Sequence, residues 1–463
     1  MLPWLVAVAL FMESLDTTIL NTAIPAVSQA LHVAPLSMKA VLASYMLSLA
    51  VFIPVSGWMA DRFGTRHVFA SAIGIFTLGS FLCGLCNDIN LLVACRILQG
   101  LGGAMMVPVG RLALVRSFPK SELIRVLSFI TIPAQIAPML GPVVGGLIVS
   151  YLHWRVIFFL NIPIGIVGFI LVYLNLPDFR EEINPPLDIV GFMLFGSGIA
   201  LLSYILEVFD DHAISAGRIA GIFVISTVLL TGYWLHARIR PSPLLQLNLL
   251  KNRIFRCGVS GSLFTRLGLG GVPFLLPLLF QTGLGYSPTQ SGMMIIPQAI
   301  ASMGMKAMLR RLIGRFGYRT ILVGNTILMG ALLASFVTIG MHSPLWYIVL
   351  LSLIYGGISS LQYTSMNTLV FVGIEPRDTS KASSISSTVQ QMSNSFGVAF
   401  AGMITALFIP YKAESNPALM IHGIHEAFLL LAAVTVISSL IFTGLRRGDG
   451  GVGAQRETPQ PEG

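Results

Sequence analysis

The sequence predicts an all-α membrane protein, and two observations support this prediction. Hydrophobic residues make up 55% of the 463-residue chain and charged residues only 10%, and the mean hydropathy of +0.82 lies far above the range of soluble proteins. The apolar residues also form uncharged stretches of about 20 residues, each long enough to cross ~30 Å of hydrocarbon as a helix. The chain is therefore expected to work inside a lipid bilayer.

Fourteen such stretches are predicted, and the connections between them are mostly too short for a soluble domain. The predicted spans lie near 4–28, 38–60, 67–87, 91–114, 126–150, 154–176, 188–208, 218–236, 256–282, 289–309, 320–341, 345–372, 384–409 and 425–445. An even number of spans places both ends of the chain on the same side of the membrane.

A short repeat indicates how the spans are organised. The string Arg-Phe-Gly-x-Arg occurs at 62–66 and again at 315–319, an offset of 253 residues that contains eight predicted spans. Two parallel halves with an inserted helix pair account for this spacing. The predicted domains are a six-helix bundle over 1–180, two inserted helices with a basic linker over 181–255, a second six-helix bundle over 256–445, and a disordered tail over 446–463.

The positive charges predict the orientation. Of the 28 Lys and Arg residues, four fall in the odd-numbered connections and three inside spans, which leaves 21 for the even-numbered connections and the tail. The four are Lys39, Arg155, Arg218 and Lys412, and the three are Arg96, Arg111 and Arg266. The positive-inside rule then predicts cytoplasmic termini and a multi-pass protein of the inner (plasma) membrane. Because these charges are scattered over many segments, they do not indicate nucleic-acid binding.

No pattern typical of an enzyme or of a bound cofactor or metal is found. Cys83 and Cys86 form a C-x-x-C string without a second cysteine pair or a nearby histidine, so helix packing explains it best. Phosphate loops and nucleophile triads are not seen, which argues against ATP-driven or hydrolytic chemistry. The sequence predicts neither enzymatic activity nor a cofactor.

Charged residues inside spans are costly and therefore indicate function. Glu13 and Asp16 lie three residues apart on one face of the first span. Two neighbouring carboxylates should not ionise equally, so one can hold a proton and make the pair a candidate for proton coupling. Arg96 is the main buried cation inside the spans, and its field can trigger proton release from an approaching carboxylate. The alternative is structural: Asp16 locks the first span by hydrogen bonds, and helix carbonyls satisfy Arg96.

Two segments have the properties of gating elements. Gly141, Gly145 and Gly146 leave one side of a helix without side chains, and Pro142 permits a bend there. Near the first copy of the repeat, Asp61 is predicted to pair with Arg62 or Arg66 and to latch one closed state. The second copy has Gly314 in place of the acid. The alternatives are generic small-residue packing and simple topology anchors.

Amides inside spans are candidates for contact with a substrate by residue type only. This set is Gln135, Asn161, Gln298, Gln362 and Asn367, to which Asn394, Tyr45 and Tyr363 can be added.

Five motifs, in order, carry a resemblance to a known family. They are Leu15-Asp16-Thr17-Thr18-Ile19 with Pro25; the loop from Gly57 through Asp61, Arg62, Gly64 and Arg66; Arg96-Ile-Leu-Gln99-Gly100-Leu-Gly102; Gly141-Pro142-x-x-Gly145-Gly146; and Trp154-Arg155-x-x-Phe158-x-x-Asn161-x-Pro163-x-Gly165. With fourteen predicted spans they resemble the fourteen-helix drug:proton antiporter branch of the major facilitator superfamily. Two positions depart from its pattern, Thr65 and Ala137.

The resemblance implies a monomeric secondary exporter that expels small amphipathic or cationic compounds in exchange for protons. It implies proton coupling at Arg96 and gating at the loop and at Gly141 to Gly146. A transporter of one specific metabolite, coupled or uncoupled, remains the alternative, and a membrane-embedded protein that does not transport is a third class.

Overall fold

The computed structural model describes residues 2–181, 186–209, 215–375, 378–409, 416–446 and 448–449, and the regular structure in these ranges is helical. The α-helices are α1 (Leu2–Ile19), α2 (Ile24–Ala30), α3 (Lys39–Phe63), α4 (Thr65–Leu85), α5 (Ile89–Ser117), α6 (Lys120–Tyr151), α7 (Val156–Phe159), α8 (Asn161–Asn175), α9 (Ile189–Val208), α10 (Ala216–Ile239), α11 (Arg253–Leu269), α12 (Val272–Leu278), α13 (Pro288–Ser335), α14 (Leu345–Leu369), α15 (Thr379–Leu407) and α16 (Pro417–Thr443). Most of the tail predicted to be disordered lies outside the described residues.

Thirteen helical stretches in the described ranges are long and apolar enough to cross a membrane. Helices α1 and α2 form one stretch, as do α7 with α8 and α11 with α12, while α13 supplies two. The predicted span at 384–409 corresponds to α15, which is 29 residues long but too polar to be counted among the thirteen. The chain is thus a multi-pass helical membrane protein, and each predicted span coincides with a helical segment.

The repeated string adopts the same backbone conformation in both copies. Gly64 ends α3 with φ 92° and ψ 144°, and Gly317 interrupts α13 with φ 74° and ψ 161°. A residue with a Cβ atom is strained at positive φ, so both turns favour glycine. We call the side of the molecule that carries Gly64 the Gly64 face and the other side the opposite face.

The helices before the insertion meet those after it along two seams. Helix α6 packs against α1 on one side and α13 on the other, and α3 packs against α15. Several hydrogen bonds across the seams lie toward the opposite face: Gln281 Nε2 donates to the Thr22 carbonyl at 2.9 Å, Thr289 Oγ1 to Ser150 Oγ at 2.8 Å, and Ser395 Oγ to the Ala43 carbonyl at 2.9 Å. The molecule is therefore closed on the opposite face.

The inserted pair is fixed through Asp188. Its carboxylate accepts from the Gly191 N–H at 3.0 Å, capping α9, from His236 Nε2 of α10 at 2.7 Å and from the Leu244 N–H at 3.1 Å. Burial alone would raise the pKa of Asp188, but these hydrogen bonds outweigh it and hold the pKa below its ordinary value. One buried carboxylate thus ties both inserted helices to the basic linker.

Candidate functional site

A polar cavity of about 350 Å³ lies between the two halves, on the Gly64 side of the closed seam. It is lined by residues of α1, α3, α5, α6, α14 and α15, so both halves contribute. Its lining is Leu10, Glu13, Ser14, Leu49, Ile53, Gly103, Ala104, Val107, Pro108, Arg111, Ala134, Asn367, Phe371, Ser383, Ser386, Ser387, Gln390 and Gln391. A cavity with apolar walls and convergent polar groups is typical of a small-molecule site.

The charged groups of this cavity come from the first half. Glu13 of α1 and Arg111 of α5 both line it, and they interact electrostatically. Within the described residues, the Glu13 carboxylate forms no salt bridge. It is the acidic group that lines the cavity.

Asp16 lies one helical turn beyond Glu13 but points away from the cavity, into the first half. Its Oδ2 accepts from Arg96 Nη1 at 2.6 Å, and its Oδ1 accepts from Gln99 Nε2 and Asn161 Nδ2, each at 2.9 Å. The Asp16 and Arg96 side chains are each only 1% exposed. Ser80 Oγ joins the network by accepting from Gln99 and Asn161 at 2.8 Å.

This network is a buried ion pair with nearly complete hydrogen bonding. Arg96 also donates to Gln99 Oε1 at 2.7 Å, and its guanidinium lies 4.1 Å from the centroid of the Tyr45 ring. Burying two charges is costly unless their geometry is good and the remaining polar atoms are satisfied, as they largely are here. Helices α1, α4, α5 and α8 each supply at least one member, so the pair is held by four helices at once.

The second half contains a buried arginine with no acidic partner in the part of the chain that the structure describes. Arg266 of α11 is 4% exposed and donates to Ser262 Oγ and Asn367 Oδ1, both at 2.9 Å. Its guanidinium also lies 4.6 Å from the centroid of the Tyr363 ring. Asn367 lines the cavity, so Arg266 is linked to the cavity lining through a neutral amide.

The predicted latch residue Asp61 has a partner that the sequence did not suggest. Its Oδ1 accepts from Arg116 Nη2 at 2.9 Å, and the same Nη2 donates to Glu181 at 2.6 Å. The expected pairing with Arg62 or Arg66 was wrong: Arg62 is exposed, and Arg66 Nε donates to the Leu176 carbonyl at 2.7 Å. The Asp61 and Arg66 contacts lie within the first half, whereas Glu181 is the first residue of the inserted segment.

A different carboxylate, that of Asp178, accepts a hydrogen bond at the start of α4. The Asp178 carboxylate accepts from the Arg66 N–H at 3.2 Å, at the first turn of α4, and pairs with Arg180 at 3.0 Å. A Cβ atom on Gly64 would collide with this carboxylate. The segment after α8 is therefore docked onto the first glycine turn.

The glycines of α6 pack closely against neighbouring helices, as their spacing predicts, with Gly141 and Gly145 against α1 in the first half and Gly146 against α13 across the seam. A Cβ atom on Gly141 would collide with Thr18, one on Gly145 with the Ile19 carbonyl, and one on Gly146 with the Pro288 carbonyl. The Pro142 carbonyl accepts from Thr22 Oγ1 at 3.1 Å. By contrast, Gly57 has open space around it.

The five amides predicted to contact a substrate separate in the structure. Asn367 lines the cavity, whereas Asn161 belongs to the Asp16 network and Gln362 is fully buried against Asn325 and Thr326. The remaining two lie at helix contacts outside the cavity lining: Gln135 accepts from Lys306 Nζ at 2.8 Å, and the Gln298 backbone packs against Gly356.

The main functional residues missed by sequence reasoning lie on α15. Ser383, Ser386, Ser387, Gln390 and Gln391 all line the cavity. Their spacing of three to four residues puts them on one helical face, and that periodicity was the available signal. In the sequence this stretch stood out only as weakly apolar.

Comparison with known proteins assigns the family. The family model described as the Major Facilitator Superfamily matches residues 6–398 and 259–461. The chain belongs to the Major Facilitator Superfamily. It is accordingly a membrane transporter, which agrees with the resemblance carried by its motifs.

Relatives with full-length matches are provisionally named multidrug resistance protein MdtD. The protein of Serratia proteamaculans (strain 568) is 40% identical over 443 residues, covering 95% of this chain and 92% of the relative. That of Escherichia coli O9:H4 (strain HS) is 41% identical over 441 residues, covering 95% and 93%. A solved structure of a bacterial homolog of the human lysosomal transporter Spinster, inward-facing and unoccupied, superposes with a TM-score of 0.70 at 14% identity, covering 99% of this chain and 98% of that one.

Proposed function

We propose that this transporter is a secondary active exporter that exchanges protons for small amphipathic or cationic compounds, and that it acts in multidrug efflux. The names of its relatives support the substrate class. The observation that carries the coupling is the buried Asp16–Arg96 pair, one turn behind the cavity-lining Glu13.

The proposed coupling uses the different surroundings of the two carboxylates. Glu13 faces the cavity, where it can attract a cationic substrate or receive a proton from water. Arg96 Nη1 donates to Asp16 Oδ2 at 2.6 Å, so a proton that binds this oxygen must displace Arg96 from it. A proton on Asp16 would release Arg96 and loosen the contact of α1 with α4, α5 and α8. In this scheme a proton binds in the first half when the cavity is empty, and substrate binds in the cavity when the proton has left. This alternation couples the two movements.

Alternating access would use the two closing elements of the first half. The α6 glycines allow close packing at the opposite face, and the Asp61–Arg116–Glu181 cluster lies at the Gly64 face. We propose that this cluster changes partners when the Gly64 face closes. The second turn, with Gly314 in place of the acid, has no corresponding carboxylate.

The membrane arrangement follows from the charge distribution. We propose that the Gly64 face is cytoplasmic, together with both termini, so that the cavity is on the cytoplasmic side in this conformation. The proposed domains are the bundles over 1–180 and 256–445, the inserted helices and linker over 181–255, and the tail over 446–463. A monomer in the bacterial inner membrane, with fourteen spans including α15, completes the proposal. Asn367 is the predicted amide that we retain as a substrate contact.

Transport in proteoliposomes tests the coupling. The wild-type protein should move a cationic dye such as ethidium against its gradient only when a pH gradient is imposed. Asp16→Asn should abolish this dependence, and Glu13→Gln should reduce transport at least tenfold. Glu426→Gln, a carboxylate of α16 outside the cavity lining, is the matched control and should behave as wild type. Dye transport that is indifferent to the pH gradient would refute proton coupling.

A further inference from the structure

The inserted helices form a lateral wall rather than a separate unit. Helix α9 packs against both α3 and α15 and so covers the seam between the halves, whereas α10 packs mainly on α9. Most of the α10 surface is exposed in the described structure. Helix α9 is therefore the inserted element that can take part in binding.

A groove of about 460 Å³ runs between α9, α3 and α5. It extends from Phe192 to Glu207 on α9, and these sixteen residues correspond to about 22 Å of helix. Helix α3 separates it from the central cavity: Leu49 and Ile53 face the cavity, and Val51 and Ser48 line the groove. The groove is thus a second, elongated site one helix away from the first.

Its two ends differ in chemistry. Phe52, Phe192 and Met193 make the Gly64-side end apolar, while Glu207 is the one charged residue among those lining the groove. Near Glu207 lie Tyr204 and Ser203, and the Ser203 hydroxyl is fully buried without a hydrogen-bond partner among the described residues. An unsatisfied buried hydroxyl beside an acid is costly unless a ligand completes it.

Glu207 also gives the groove an acceptor for a cationic group. Lys39 lies close enough to interact with Glu207, but the two form no salt bridge. The Glu207 carboxylate therefore remains available to a second positive charge. A purely apolar groove would suit a lipid tail, but a groove with one acid at its end suits a molecule with a single cationic head.

We propose that this groove binds elongated amphiphilic cations, with the cationic head at Glu207 and the apolar body along Phe52 and Phe192. The proposal rests on the proposed function for its substrate class and gives the inserted pair a role in holding substrate outside the central cavity.

Photolabelling tests the groove separately from transport. The probe is an alkyltrimethylammonium carrying a diazirine on its chain, applied to the protein in nanodiscs of zwitterionic lipid, and labelled peptides are mapped by mass spectrometry. A neutral alcohol of the same chain length controls for simple partitioning. The cation should label the groove segments of α9 and α3, 192–207 and 44–52, at least tenfold more than the alcohol does.

Four variants make the result decisive. Glu207→Gln should lower groove labelling by the cation at least tenfold, and Glu207→Asp should retain most of it. Ala200→Phe, an exposed groove position, should block labelling by bulk without changing charge. Glu13→Gln should leave groove labelling intact. Equal labelling of wild type, Glu207→Gln and Ala200→Phe, or equal labelling by cation and alcohol, would mean a lipid site and overturn the proposal.

The two proposals fail in distinguishable ways. Groove labelling that depends on Glu207, without transport driven by a pH gradient, would reject the proposed function and keep the groove. Transport driven by a pH gradient, with groove labelling that does not depend on Glu207, would reject the groove alone.

Discussion

Arg96 in the first half and Arg266 in the second are both buried, but their partners differ. Arg96 forms an ion pair with Asp16, whereas Arg266 is held by the neutral side chains of Ser262 and Asn367. The offset of 253 residues that relates Gly64 to Gly317 also relates Glu13 to Arg266. Corresponding positions of the first helices thus carry opposite charges. The two halves thus share the backbone conformation of their turns but not the acids at the corresponding positions.

The largest expected effect tests this difference in partners. Asp16→Ala should lower the free energy of unfolding by about 3–5 kcal/mol, because it leaves the Arg96 charge buried without a counterion. Arg266→Gln should lower the free energy of unfolding by only about 1–2 kcal/mol, because the side chains that lose their hydrogen-bond donor are neutral. Thermal unfolding can be followed with a thiol-reactive dye, since all four cysteines are buried. The double variant Asp16→Ala with Arg96→Met should recover part of the loss. Equal costs at Asp16 and Arg266 would remove the distinction between the halves.

The two glycine turns provide the next comparison. Gly64→Ala and Gly317→Ala should each cost about 1 kcal/mol from the positive φ alone. Gly64→Ala should cost at least about 1 kcal/mol more, because its methyl group would displace Asp178 from the first turn of α4. The same unfolding assay measures both. A larger loss of stability in Gly317→Ala than in Gly64→Ala would show that another segment also packs against the second turn.

The inserted pair, which neither half duplicates, should respond to pH through Asp188. A carboxyl group whose pKa is lowered by folding stabilises the protein above its unfolded pKa of about 4, and this contribution is lost as the pH falls through the folded value. Asp188→Asn should therefore be about 1–3 kcal/mol less stable than wild type at pH 7. The difference should shrink below about pH 4. Intrinsic tryptophan fluorescence on heating, recorded from pH 7 to pH 3, measures it, and a difference that stays constant with pH would contradict the assignment.

The smallest change in stability is expected at Asp61, where the first half has an acid and the second has none. Asp61→Asn should change stability by less than about 1 kcal/mol, because the Asp61–Arg116 pair is partly exposed. Transport in proteoliposomes should nevertheless fall several-fold if the cluster closes the Gly64 face. Arg62→Gln, an exposed neighbour, serves as the control and should transport normally. Unchanged transport in Asp61→Asn would leave the cluster with a structural role only.

Much of the fold could be predicted because its signals are local. Apolar length located the spans, and the repeated string located two turns that share one backbone conformation. The α6 glycines were expected to pack closely, and they do. In each case a few neighbouring residues determine the structure.

The partners within the site could not be predicted, because they depend on how helices rotate against one another. Asp16 and Arg96 are 80 residues apart, and the sequence suggested each as a site residue without indicating that they pair. Glu13 and Asp16 share a helix, yet one faces the cavity and the other faces Arg96. Arg116 was overlooked because it lies at a helix end, where a basic residue is explained by topology alone.

The polar stripe of α15 has a consequence for biogenesis. A helix with several serine and glutamine residues gains too little from contact with lipid to partition into the bilayer alone. We therefore expect α15 to be integrated together with the strongly apolar α16. The residues that give the cavity its polarity thus make membrane insertion of the last helices a concerted event, and truncation after α15 should leave that segment outside the membrane.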